Sequence, residues 1–450
     1  MDDTRKQKLI DLGPEILADA LLRLSSRVDF VEEMIERLIA TPEENLKRFK
    51  RKMSGLKRSR RFIDYRGVRN LSRELEMLLN DIQVCVSDPA TGLELVASFY
   101  ETDNSTLERC DDSNGFVGDV YRIDARDLFI EYASRFNNKA QIAKLVLKLI
   151  SGDEYGARTG LIHHAAEYLP EASIRSMIST LRNMADNEDN EYSRRHDLDL
   201  TGSLARQIKD AKLFEQTKIA SWDEPPAVAL VDIARVYLES GDVDTAYAWL
   251  QKIPPGHTSR DYERDQLLLE IYSQRGDTGK LTNLLYKLFR SHRSADTFQA
   301  LLNVTGDAKR DEIIADEIAL IMKQDIFRTT DANFLILVGM FDEAENYLLS
   351  RVDKLDGANY VILLPLAKSM ESVNLNLGAS MLYRSLLTSI LEQGRTKAYT
   401  HGVRHLKKLD NLAETITDWR NFDDHVAYKS RLKLAHGLKY AFWNKYEVQK

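Results

Sequence analysis

A turn signature recurs along the second half of this chain and restricts what it can fold into. Tyr237-x-x-x-Gly241-Asp242-Val243-x-x-Ala246 returns as Tyr272-x-x-x-Gly276-Asp277-Thr278-x-x-Leu281, then as Gly306-Asp307 and as Gly339-Met340-Phe341-x-x-Ala344. The glycines stand 35, 30 and 33 residues apart. Such a near-period suits a helix-turn-helix unit, because each hairpin leaves an apolar face that only its neighbour can cover.

In the first unit, Ile233, Ala234, Tyr237, Ala246 and Leu250 fall where a tetratricopeptide repeat (TPR) places its small and large packing residues. Leu281 and Asp311 stand where a small alanine is usual, so the later units are expected to be TPR-like with irregular hairpins. The pattern predicts an all-α chain. An N-terminal helical region, 1–200, leads through a linker, 201–226, into a TPR-like α-solenoid at 227–450. The polar, aspartate-rich stretch 185–200 reads as the loop between the halves, with Pro225-Pro226 as a rival boundary. Only 9 prolines and 21 glycines occur, and Pro14, Pro42, Pro89, Pro170, Pro225, Pro226, Pro254, Pro255 and Pro365 all read as helix boundaries.

The first half is helical in period but lacks the turn signature. Ile16, Leu17, Ala20, Leu21 and Leu24 form one stripe, and Phe30, Val31, Met34, Ile35 and Leu38 the next. Thr41-Pro42-Glu43-Glu44 is a capping box opening a helix whose stripe is Leu46, Phe49, Met53 and Leu56. Asp64 reads as the cap of the following helix, with Val68, Leu71, Leu75, Leu78, Leu79 and Ile82 on its buried face. Further helices are expected at 90–101, 119–135, 138–151, 157–168, 374–392, 396–409 and 423–446. The last carries Tyr428, Tyr440, Phe442, Trp443 and Tyr446, read as a cap that shields the final repeat.

Charge supplies the sharpest functional lead. From Lys47 to Arg73 twelve basic residues meet one acid, Asp64, a local charge of +11 in a chain whose net is −7. The remaining residues therefore carry −18. The candidate binding residues are Lys50, Arg51, Lys57, Arg58, Arg60, Arg61, Arg66, Arg69 and Arg73, with Arg66, Arg69 and Arg73 on one helical face and Lys57 to Arg61 in the preceding bend. One reading gives the patch to phosphates or an acidic protein surface. The other pairs it with the acidic excess inside the protein. In the bend Phe62 and Tyr65 interleave these bases, which is thin for stacking on single strands.

Other motifs give less. The segment 108–119 looks like a calcium loop, but with Gly115 at the sharp turn the first ligand would be Cys110 and the last Tyr121, so Asp111, Asp112 and Asn114 read better as a turn before a helix. Gly276-Asp277-Thr278-Gly279-Lys280 lacks the glycine at 274 and the Ser or Thr after the lysine that a phosphate loop requires. His163, His164 and Glu167 lack a cysteine or an HExxH context. Cys85 and Cys110 are too few for a disulfide framework. No cofactor, metal or catalytic set is expected. The N-terminus has no apolar leader core, and no apolar run reaches membrane-spanning length, so the chain is expected to be cytoplasmic with no membrane partner.

Three stretches carry a resemblance: SGLKRSRRFIDYRGVRNLSRELEMLLNDI (54–82), CDDSNGFVGD (110–119) and DHVAYKSRLKLAHGLKYAFWNKY (424–446). With them the chain resembles an uncharacterised bacterial family of unknown function over most of its length. Its C-terminal region is similar to that of some SWIM zinc-finger proteins, whose Cys-x-Cys and Cys-x-His ligands are absent here. The resemblance implies no activity and no functional residue. The expectation left standing is a non-catalytic adaptor that binds a protein or peptide, with nucleic-acid binding at 47–73 as the alternative.

Overall fold

The computed structural model describes residues 3–27, 29–222, 224–254 and 260–448. Among them the chain is helical throughout; the one β-type contact is an isolated parallel bridge between Ile63 and Cys110. No helix among these residues is long and apolar enough to cross a membrane. Two compact units are present, Met1–Arg264 and Asp265–Lys450. The first has a core running from Phe49 to Leu204, and the second from Leu285 to Tyr446.

The capping box forms as expected. Glu44 N–H donates to Thr41 Oγ1, the Glu44 carboxylate accepts from Thr41 N–H, and helix Pro42–Arg58 follows. Expected helices appear as Pro89–Tyr100, Lys139–Ile150 and Asn376–Glu392. The stretch 119–135 is helical but carries a π-helical turn, Val120–Ala125, ahead of Arg126–Arg135. The 157–168 prediction breaks into short turns, Gly160–His163 and Ala165–Glu167. The side chains of Phe30 and Leu38, and Pro255, lie outside the described residues.

Several expectations are corrected. Of residues 185–200 only 187–190 form a loop: Asn190 caps helix Glu191–Gln207, which buries Leu198, Leu200, Leu204 and Ala205 while Asp199 stays exposed. The linker at 201–226 holds helix Ala211–Ala220, anchored by buried Ala211 and Phe214. Polarity misled here because one apolar side suffices for a surface helix. Pro365 lies inside helix Tyr360–Ser372, not at its edge. The carbonyl it strands is that of Val361, in an exposed first turn, so the lost bond costs little. The C-terminal segment is two helices, His425–His436 and Tyr440–Val448, parted at Gly437, where a Cβ would sit 2.6 Å from the Lys433 carbonyl oxygen. Tyr428, Phe442, Trp443 and Tyr446 are buried in the second core, whereas Tyr440 is exposed.

The turn signature has a defined geometry. After Gly241, Asp242 N–H donates back to the Tyr237 carbonyl at 2.9 Å, and the Asp242 carboxylate caps the next helix through Thr245 N–H. Gly241 holds φ 89°, the left-handed setting such a helix-ending turn demands. The same five-residue return bond forms at Asp277 to Tyr272 and at Met340 to Leu335. It also forms at Asp210 to Ala205 and Leu375 to Met370, where Lys209 (φ 56°) and Asn374 (φ 61°) take the left-handed position. These two turns escaped the sequence pattern because they contain no glycine. Gly306, by contrast, has φ 89° with ψ 145° and closes with a bond from its own N–H to Leu302. Gly241→Ala is expected to cost about 1 kcal/mol through the left-handed penalty, and Lys209→Gly to cost nothing or stabilise. Urea denaturation of the two variants checks the opposite signs.

Candidate interface for an anionic partner

Helix Pro42–Arg58 buries Asn45, Phe49 and Met53, so its basic residues are driven to the outer face. After Arg58 the chain leaves helix. Ile63 N–H donates to the Arg109 carbonyl at 2.9 Å, and Asp111 N–H donates to the Ile63 carbonyl at 3.0 Å. Two of the three resemblance stretches therefore meet edge to edge. Asp64 accepts from Arg66 N–H and Gly67 N–H, which tightens the bend, and helix Val68–Cys85 begins only at Val68. Gly67 is required there, since a Cβ would lie 2.8 Å from Ile63 Cγ2. Asp64 is thus a turn brace ahead of the helix. Arg66 precedes the helix, so only Arg69 and Arg73 of the expected arginine face lie on it.

The patch divides by partner. Lys50 pairs with Glu94 and Lys57 with Glu101, each at 2.7 Å, and Arg48 reaches Glu36 at 3.9 Å. Hydrogen bonding from Lys57 holds the Glu101 carboxyl below its ordinary range. Such exposed pairs stabilise by about 0–1 kcal/mol each. Arg58 Nε donates to the Ser54 carbonyl at 3.1 Å, and the Arg69 guanidinium lies 5.0 Å from the Phe116 ring centre. Arg51, Arg60, Arg61, Arg66 and Arg73 are exposed and form no side-chain ion pair or hydrogen bond among the described residues. Internal pairing accounts for part of the patch and leaves these arginines available.

Of these, Arg61 lines an open groove of about 1030 Å³ whose wall also includes Gly55, Leu56, Phe62, Asn70 and Arg109. Arg109 is only 8% exposed, and its Nε has no acceptor. Phe62 and Tyr65 stand 63% and 58% exposed between the free arginines. Asp64 and Glu74 also line the groove, so its field is mixed. The cations and donors here suit an anion with an apolar or aromatic component.

Other candidates resolve into structural roles. Asp112 receives Val117 N–H and Gly118 N–H at 2.9 and 2.8 Å, and Asp111 receives Ser113 N–H, so these carboxylates brace a turn. His164 Nδ1 sits 2.6 Å from Glu167. Among the described residues no group of three or more His, Cys, Asp or Glu side chains is placed to hold a metal ion. Cys85 and Cys110 are not joined by a disulfide. Gly276 ends a helix in the turn described above, outside any strand-to-helix phosphate loop.

The model of a family of unknown function, DUF6880, matches residues 4–445. The chain belongs to DUF6880. No curated protein matches it. In this DUF6880 member the groove residue that sequence reading missed is Arg109. Its one trace was adjacency to the 110–119 stretch, because the bond that brings it to Ile63 spans 46 positions and follows no local period.

Proposed function

We propose that the protein is a cytoplasmic, non-catalytic scaffold that holds a protein or peptide partner on TPR-like hairpins stacked as a solenoid. The observation that carries this reading is the return-bonded turn at Lys209, Gly241, Gly276, Gly339 and Asn374. Its spacings of 32, 35, 63 and 35 are one or two near-periods, as repeat hairpins require. Repeats of this kind offer long grooves lined by helix faces, and binding is their usual employment. Tagged full-length protein purified from its native host, with and without nuclease, tests the proposal. A protein partner that survives nuclease and cross-links to helices Ala227–Glu239, Val243–Leu250 or Tyr360–Ser372 is expected. Partners that vanish with nuclease overturn it.

A second reading is favoured by a separate observation, the exposure of Phe62 and Tyr65 among unpaired arginines. In that reading the groove at 47–73 binds single-stranded nucleic acid, with phosphates on the arginines and bases on the rings. The acidic remainder of the chain confines such binding to this surface.

A further inference from the structure

Helices Asn376–Glu392 and Tyr399–Ala413 are joined by a short turn at Gly394, which takes φ 61°. Gly357 lets the loop ahead of helix Tyr360–Ser372 press on the first of them, since a Cβ there would meet the Ser385 carbonyl oxygen at 2.1 Å. These three helices and the two connecting segments border a cavity of about 530 Å³, a usual volume for a small-molecule site. Leu364, Leu386 and Ile390 give it an apolar wall.

The charged residues of this wall share one sign. Arg395, Lys397 and His401 line it from exposed positions, and their side chains form no ion pair or hydrogen bond among the described residues. No carboxylate lines the cavity among the described residues; Asp356 and Glu392 belong to the wall of an adjoining one. His405 also lines it and is only 9% exposed. Its ring nitrogens form no hydrogen bond among the described residues, yet they keep some accessible surface. Burial, with the charge of His401 one turn earlier, holds the His405 pKa down at about 4. At neutral pH the ring is therefore uncharged and offers one N–H to whatever enters. An apolar wall draws in an apolar body, and cations with an open donor hold a negative group. We propose that this cavity binds a small organic anion with an apolar body, such as a medium-chain fatty acid or alkyl phosphate, its head group meeting Arg395, Lys397 and the His405 ring. The proposal rests on neither the repeat turns nor the patch at 47–73.

Calorimetric titration of the full-length protein at neutral pH and matched ionic strength tests it. The probes are octanoate, octyl phosphate, 1-octanol, octyltrimethylammonium and acetate. Octanoate or octyl phosphate is expected to bind the wild type about tenfold or more tighter than the neutral, cationic and short-chain probes. The tighter of the two names the head group, and equal affinity means that negative charge alone is read. R395E/K397E alters two exposed, unpaired side chains and is expected to weaken binding by about tenfold or more. Ala398→Phe fills the cavity from a half-buried wall position without altering its charge, and is expected to weaken binding likewise. His405→Phe keeps a ring beside Tyr383 but removes the donor, with an expected loss of about threefold to tenfold. No binding by either anion, equal binding of octanol, octyltrimethylammonium or acetate, or undiminished binding in any folded variant would each overturn the proposal.

Discussion

Full-length protein carrying R58E/R60E/R61E/R66E is expected to lose all retention of single-stranded RNA or DNA in a gel shift at low salt, where the wild type retains it. All four positions are exposed, and none forms an ion pair among the described residues, so the fold has little to lose. Four reversals change the local charge by eight units, which turns attraction at the groove into repulsion. If the five free arginines each meet a phosphate, wild-type affinity should fall about 100-fold between roughly 50 and 200 mM salt, from a slope of about 0.7 per contact. F62A/Y65A should weaken binding by about 1–3 kcal/mol per stacked base while leaving that slope unchanged. Reversing Lys50 should matter less, because Glu94 already neutralises it. A wild type that shows no retention at low salt removes the nucleic-acid reading altogether.

Arg293→Met is expected to destabilise the second unit by about 3–5 kcal/mol. Arg293, Glu317 and Asp331 are all buried, and Arg293 spans both acids, donating Nη2 to Glu317 at 2.7 Å and Nη1 to Asp331 at 2.8 Å. Glu317 keeps a second partner in Arg290, at 2.7 Å. Asp331 keeps the Tyr347 hydroxyl, at 3.3 Å, and no other side-chain partner among the described residues. Methionine refills the volume but leaves two carboxylates close together, one of them without a cation. Urea denaturation reports the total loss, and hydrogen exchange across 285–349 locates it. The variant R293M/E317L/D331L removes every charge that needs compensation, so it should be more stable than R293M alone. A loss below about 1 kcal/mol for R293M would mean that water already reaches the triad.

Local rules served well where a signal was complete within a few residues. The Thr41 capping box, the start at Pro89 and the glycine turns at 241, 276 and 339 each depend on backbone groups close in sequence, and each took the expected form. The reading failed where polarity stood in for structure. Helix Glu191–Gln207 hides its apolar residues among aspartates and arginines, and helix Ala211–Ala220 follows a turn held by Lys209 instead of glycine. Of the binding patch, its position and charge were legible. Which arginines were free was not, because Glu94 and Glu101 approach from a helix and turn some 44 residues away.

By itself, the sequence determined the all-helical character, three of the five return-bonded turns and the concentration of +11 charges between Lys47 and Arg73. Hydrogen-bonding and apolar period act over one or two turns of chain, so a linear reading captures them. Tertiary structure alone decided that Ile63 docks on Arg109 to shape the groove, that Arg293 bridges two buried acids, and that Arg395, Lys397 and His405 share one cavity. A charged group's character depends on what surrounds it after burial. Those surroundings come from residues brought together only when the helices pack.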